Sequence, residues 1–313
     1  MLKDVILITG HTGFVGSALV AALSGSQLRL VGRRHIAGQP GQFFQKELTT
    51  TEDYSDCLAG VSVVIHAAAR VHVMDDTAAD PLAAYREVNV AGTLNLARQA
   101  AASGVKRFIF ISTIKVNGEA TLPEQPFTAH DLSKATDPYG ISKAEAEAAL
   151  KRLCSDTGME FVIIRPPLVY GPGVKANFAA MLRLAKRNLP LPLGAIRNQR
   201  SMVALSNLVD LIKVCIDHPK AANQTFLVSD DRDLSTTELL QLMVRAYGKT
   251  PRLIPVPESW FRLAGKLTGK QAIVDRLCGN LQVDISHTKE TLGWKPPITV
   301  EEGIRRCFNN VEC

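Results

Sequence analysis

Short apolar runs alternate with longer mixed stretches through the first half of the chain. Val5 to Thr9, Leu28 to Val31, Val61 to His66, Phe108 to Ser112 and Phe161 to Arg165 are apolar almost without interruption. A strand with one face in water alternates polar and apolar residues, whereas a strand covered on both faces does not. These runs therefore predict parallel strands sandwiched between helices. The stretches Phe14 to Leu23, Tyr85 to Ala102 and Tyr139 to Asp156 predict those helices. The alternating order predicts an α/β fold with a doubly wound parallel sheet.

The texture changes after Arg165-Pro166-Pro167. Proline and glycine become frequent from Tyr170-Gly171-Pro172-Gly173 to Leu193-Gly194, and the later elements are shorter. The division expected is a dinucleotide-binding part over 1–170 and a smaller C-terminal α/β substrate part over 171–313. The helical run 206–218 is expected to return and pack on the first part.

Composition narrows the classes. The chain has 313 residues, 46% hydrophobic and 21% charged, which suits a soluble globular protein. Its net charge of +6 comes without any run of five or six basic residues. That pattern fits an anionic small ligand better than nucleic acid. The six cysteines form no C-x-x-C pair and have no histidine at ligand spacing, so neither a metal site nor a disulfide framework is expected. No apolar run approaches membrane-spanning length, and the first predicted strand begins at Val5, leaving no room for a signal segment. The expected location is cytoplasmic, with reduced thiols.

Two motifs carry chemistry. Gly10-His11-Thr12-Gly13-Phe14-Val15-Gly16 follows the first strand and opens the first helix. Glycines there permit a tight turn and close approach to a pyrophosphate, and the helix N-terminus offers unpaired N–H groups to it. Tyr139 and Lys143 stand four apart on a predicted helix, so they share a face. An ammonium beside a phenol lowers the phenol pKa and makes it a usable proton donor or acceptor for an oxygen on substrate.

The G-x-x-G-x-x-G spacing at residue 10, together with Tyr-x-x-x-Lys, resembles the extended short-chain dehydrogenase/reductase family, whose fold is of Rossmann type. Further matches are His66-Ala67-Ala68-Ala69, Asn89 in Asn89-Val90-Ala91-Gly92-Thr93, Ser112 to Gly118, Arg165-Pro166 and Leu292-Gly293-Trp294-Lys295-Pro296. The resemblance implies cofactor contacts from Gly10, Thr12, Gly13, Phe14, Val15, Gly16, Ala67, Ala68, Ala69, Asn89, Tyr139 and Lys143. It implies a catalytic trio of Thr113, Tyr139 and Lys143. Thr113 would fix the substrate oxygen, Tyr139 would move the proton, and Lys143 would depress the tyrosine pKa. It also implies a homodimer, packed through Tyr85 to Ala102 and Tyr139 to Asp156.

Residues at the end of the second strand bear on the cofactor. An NAD site usually places an acid there for the ribose 2′-OH, whereas an NADP site supplies arginine for the 2′-phosphate. Here the strand ends Gly32-Arg33-Arg34, which points to NADPH rather than NAD. By the same resemblance, Asn177, Arg200 and Arg276 would hold the diphosphate of a nucleotide sugar. Departures from UDP-galactose 4-epimerases are Gly32, Asn117 and Leu168. The segments around Thr113 and Tyr139 look most like bacterial UDP-N-acetylquinovosamine dehydrogenases. The expectation is therefore an NADPH-dependent 4-ketoreductase of a UDP-4-keto-6-deoxy-N-acetylhexosamine in O-antigen precursor synthesis. The alternatives are a UDP-N-acetylglucosamine or UDP-hexose 4-epimerase, or, in another class, a non-catalytic NADP-binding regulator. Retention of Thr113, Tyr139 and Lys143 argues against the regulator.

Overall fold

The computed structural model describes residues 4–71 and 80–309. In chain order the elements are β1 Val5–Thr9, α1 Phe14–Ala22, β2 Gln27–Gly32, β3 Gln42–Gln45, α2 Ser55–Leu58, β4 Val63–His66, α3 Pro81–Arg86, α4 Thr93–Ala102, β5 Arg107–Ile111, α5 Pro138–Thr157 and β6 Glu160–Arg165. They are followed by β7 Leu168–Tyr170, α6 Ala176–Arg187, β8 Met202–Ala204, α7 Leu205–Asp217, β9 Gln224–Leu227, α8 Thr236–Ala246, α9 Glu258–Thr268, α10 Gln271–Cys278, α11 Ser286–Leu292 and α12 Val300–Asn309.

The main sheet has the order β3-β2-β1-β4-β5-β6-β9, with every pair parallel. The continuous apolar runs are explained by what they face. Ile6, Ile8, Val63, Ile65, Ile109, Val162 and Ile164 pack with Leu19 and Val20 of α1 and Leu208, Leu211 and Ile212 of α7. The intervening Leu7, Val64, Phe108, Phe110 and Ile163 turn to the other side, onto Leu96, Ala97 and Ala100 of α4 and Ala146, Leu150 and Cys154 of α5. Burying one such side chain contributes about 1.5–3 kcal/mol, so both faces must be covered for these strands to exist in water.

Differences from the predicted elements are local. Gln42–Gln45, absent from the predicted strands, forms the edge strand β3. Its two central phenylalanines and polar ends give too short a pattern to stand out. The single helix predicted over Tyr85 to Ala102 is a continuous helical stretch with a π-turn at Glu87–Gly92. Gly92 sits in that turn because a Cβ there would come within 2.7 Å of the Leu48 carbonyl oxygen.

The two parts do not divide linearly. α7 packs against α1, and β9 adds the seventh strand beside β6. Residues 205–227 therefore pack with the seven-stranded sheet. The smaller body gathers a core of its own from Tyr170, Phe178, Leu182, Met202, Leu239, Met243 and Ile304, around the two-stranded β7-β8 sheet. Among the described residues no helix is long and apolar enough to cross a membrane, and no three His, Cys, Asp or Glu residues form a metal-binding group.

Candidate active site

The chain runs from β1 outward to β3, then returns to place β4 on the other side of β1. The crevice at the carboxyl ends of these two strands is the topological switch point where ligands bind in such sheets. The loops that flank it are in close contact. Gly10 has φ +72°, and a Cβ on it would come within 2.7 Å of the Ala68 nitrogen. A Cβ on Gly16 would lie 2.0 Å from the Gly10 carbonyl oxygen. Gly13 has no side-chain cap to offer α1, which leaves the first N–H groups of that helix facing the crevice. Thr12 and Gly13 are exposed there, Phe14 and Val15 half-buried, and Ala67, Ala68 and Ala69 form the half-buried opposite wall.

These residues fit a nicotinamide dinucleotide by a test independent of the motif. Only glycines allow the turn to close, and His11, which is 1% exposed, holds a ring nitrogen, Nε2, that has no hydrogen-bond partner. A buried polar atom left unpaired costs free energy unless a ligand meets it. Arg33 and Arg34 follow β2 as exposed side chains.

Thr113, Tyr139 and Lys143, the trio expected to react, stand on the next two elements. Thr113 follows β5 in extended conformation and caps a 3₁₀ turn at Ile114–Val116, its Oγ1 accepting from the Lys115 N–H at 3.3 Å. α5 begins at Pro138 with Asp137 as its cap, Oδ1 accepting from the Gly140 N–H at 3.2 Å. Gly140 lets this helix end come down on the turn, since a Cβ there would meet Asp137 Oδ2 at 2.9 Å and the Lys115 carbonyl at 3.1 Å. Tyr139 and Thr113 are both half-buried, on adjoining structures.

Asn89 lies in the π-turn. Its Nδ2 donates to the Arg70 carbonyl and to Ser142 Oγ, each at 3.0 Å, and its Oδ1 accepts from the Arg70 N–H at 2.8 Å. It ties the wall after β4 to the tyrosine helix. His66, fully buried between Thr9 Oγ1 and Thr93 Oγ1, is held well below its usual pKa, at about 3, by burial and then by Lys143. It is a neutral structural histidine.

The electrostatics correct one expectation. Lys143 was expected to lower the tyrosine pKa, yet burial pushes the Tyr139 phenol up to about 12, with Asp137 and Tyr85 adding to the rise. Lys143 itself is 1% exposed, with Nζ 3.8 Å from the centre of the Phe110 ring. Burial brings its pKa down to about 7, against an opposing pull from Glu147. A lysine that near neutrality is only partly charged and cannot act as a full cation on its neighbour. With its pKa that high, Tyr139 holds its proton at neutral pH in this environment.

A buried network beneath the trio was not foreseen. Glu147, one turn after Lys143, accepts from Ser112 Oγ at 2.5 Å and from Arg165 Nη2 at 2.6 Å. Arg165 Nη1 donates to Asn117 Oδ1 at 2.9 Å, and Asn117 Nδ2 donates to the Thr128 carbonyl at 2.8 Å. This gives Asn117, noted above as a departure, a structural reason. The signal available in the sequence was Glu147 four residues after Lys143, on the same helix face.

Of the expected diphosphate ligands, Arg200 and Arg276 come together. Arg200 Nη1 donates to the Gly279 carbonyl at 3.1 Å and reaches the Arg276 carbonyl at 3.4 Å, at the end of α10. Arg200 is half-buried and Arg276 exposed. Asn177 is exposed in the first turn of α6.

A parallel sheet with a glycine cradle at its switch point, and a threonine, tyrosine and lysine beside it, defines a nicotinamide-dependent enzyme of the extended short-chain dehydrogenase/reductase type. The chain belongs to the NAD dependent epimerase/dehydratase family, whose model matches residues 6–229. It is 55% identical over 306 residues to a UDP-glucose 4-epimerase of Vibrio cholerae, covering 96% of this chain and 93% of that one. Its fold matches the UDP-glucose 4-epimerase of Thermotoga maritima solved with UDP-glucose, at TM-score 0.75 and 22% identity over 98% of each chain. It also matches RMD of Pseudomonas aeruginosa complexed with NADPH, at TM-score 0.73 and 22% identity over 98% of this chain and 99% of that one. At the level of the family the resemblance read from the sequence holds. Below that level the order of the readings reverses, because the 55% relative is a 4-epimerase and not a quinovosamine dehydrogenase.

Proposed function

We propose that this chain is a UDP-hexose 4-epimerase, acting on UDP-glucose or its N-acetylated counterpart. The observation that carries the reading is the 55% identity to a UDP-glucose 4-epimerase across 96% of the chain, with the reacting trio intact. A nicotinamide held over Gly10 to Gly16 would supply a reversible hydride acceptor. Thr113 would hold the C4 oxygen of the sugar by a hydrogen bond. Tyr139 would first have to give up its own proton, which the positive charge of an oxidised nicotinamide and of Lys143 would favour. The phenolate would then take the proton of that hydroxyl as the C4 hydrogen leaves, and return it when the hydrogen is delivered to the other face. Lys143, near neutrality, would follow the charge on the phenol at little cost. Arg200, with Arg276 and Asn177, would hold the diphosphate. The proposal includes a homodimer packed through α4 and α5, which sedimentation would test.

A second reading has a specific observation in its favour. Gly32-Arg33-Arg34 lacks the acid usual for NAD, which suits an NADPH-linked 4-ketoreductase yielding UDP-N-acetylquinovosamine. An epimerase regenerates its cofactor every turnover, whereas a reductase consumes it. Purified protein given UDP-glucose alone, and separately UDP-4-keto-6-deoxy-N-acetylglucosamine with NADPH, separates the two. Conversion to UDP-galactose without net cofactor use is expected. Stoichiometric NADPH oxidation with the keto sugar, and no epimerisation, would replace this reading with the second.

A further inference from the structure

We propose that His11 reads the 2′ position of the adenosine ribose, in the place that dinucleotide sites usually give to a carboxylate at the end of the second strand. The imidazole is 1% exposed, and its Nε2 is the unpaired buried nitrogen described above. The other nitrogen, Nδ1, lies 2.7 Å from Gln39 Oε1. Gln39 also donates through its own Nε2 to the His11 carbonyl at 3.3 Å. That second bond sets the amide with its oxygen toward the ring, so Nδ1 carries the proton and Nε2 presents a lone pair.

That nitrogen stands against the position that lacks an acid. A Cβ on Gly32 would lie 3.0 Å from His11 Nε2 and 3.2 Å from its Cδ2. The ring thus occupies the space in which a side chain at 32 would stand. Phe43 of β3 closes on the ring edge-on, with centroids 5.6 Å apart, and keeps it in place. Glycine at 32 and histidine at 11 are two halves of one arrangement.

The chemistry differs from that of a carboxylate in one respect. An imidazole nitrogen with its lone pair free accepts from the ribose 2′-OH as a carboxylate does, so the missing acid does not exclude NAD. It sets no negative charge against a 2′-phosphate, and Arg33 and Arg34 follow at once. The site is therefore permissive, taking both dinucleotides where an acid would reject one. This inference rests only on the chain's holding a nicotinamide dinucleotide, and not on what happens at C4 of a sugar.

The test is direct calorimetric binding of NAD and NADP to the full chain with no sugar present. UDP binding and thermal melting serve as checks on folding. Wild-type protein is expected to bind the two within about tenfold of each other. His11→Ala is expected to weaken NAD about tenfold, as for one lost hydrogen bond, and NADP by less. His11→Phe, which keeps the ring and its packing, should do the same. Gly32→Asp added to His11→Ala should restore NAD to near the wild-type affinity and cost NADP at least about a hundredfold. Unchanged NAD affinity in folded His11→Phe would overturn the proposal. So would a folded double variant that fails to regain NAD. An inactive enzyme in sugar assays that still shows this binding pattern would refute the epimerase reading and leave this one standing.

Discussion

The two ends of the dinucleotide crevice are built on opposite plans. At the nicotinamide end the charged groups are buried: Lys143 and Glu147 are 1% and 3% exposed, and Arg165 is 5%. Burial there moves pKa values far, bringing Lys143 down to about 7 and Tyr139 up to about 12. At the end proposed for the adenosine, the arginines Arg33 and Arg34 are exposed, and the buried group is the His11 ring. On the proposed reading, the contrast teaches that charge is concentrated where a proton would move and low dielectric strengthens it, whereas the cofactor's far end would be recognised by shape and one hydrogen bond.

The comparison can be broken from either end. The largest effect is expected from Tyr139→Phe, which should lower turnover by about a thousandfold or more and spare cofactor binding, as rates and calorimetry would read. Retained turnover would remove Tyr139 from the chemistry. Gly16→Ala comes next. Its Cβ must stand 2.0 Å from a backbone oxygen, so the loop has to open. Dinucleotide binding should be lost and stability fall by about 1–3 kcal/mol, measured by denaturant melts.

Lys143 gives a pH test. Its folded pKa of about 7 lies below the ordinary 10.5, so between those values the unfolded chain holds the extra proton. Stability of the ligand-free protein should therefore rise as pH is raised from about 7 toward 10. Lys143→Met should flatten that rise and be the more stable protein at pH 7, by on the order of a few kcal/mol. An unchanged slope would mean that Lys143 is charged and solvated in solution. The smallest effect is expected at the exposed arginines. Arg33→Ala with Arg34→Ala should weaken NADP about three- to tenfold and leave NAD unchanged, since exposed ion pairs contribute little each. A loss of a hundredfold or more would show that these side chains close over the phosphate.

Legibility followed the same divide. The central strands were readable because each is apolar on both faces, as Ile6, Leu7 and Ile8 illustrate by packing alternately to α1 and to α5's side of the sheet. The glycine cradle and Tyr139-x-x-x-Lys143 were readable because their spacing is local. Pairings made at a distance were not. Helical spacing sets Glu147 on the face of Lys143, but it does not tie Glu147 to Ser112, Arg165 and Asn117, nor set His11 against Gly32, because those contacts exist only once the strands stand side by side. The same limit explains β9, a four-residue strand that follows α7 and returns to the first sheet. It also explains the tyrosine pKa, whose direction depends on how deeply the helix end is buried and not on the spacing of two residues.

The central claim is reversible chemistry at C4 with the cofactor retained. It is tested most directly by incubating the purified protein with UDP-glucose in deuterated water and following the sugar by proton NMR, with the nicotinamide read by absorbance. The account predicts approach to a UDP-glucose and UDP-galactose mixture, with C4 keeping its original hydrogen and no net change in reduced nicotinamide. A sugar that stays unchanged here, while its 4-keto-6-deoxy counterpart is reduced at the expense of one NADPH per molecule, would contradict it.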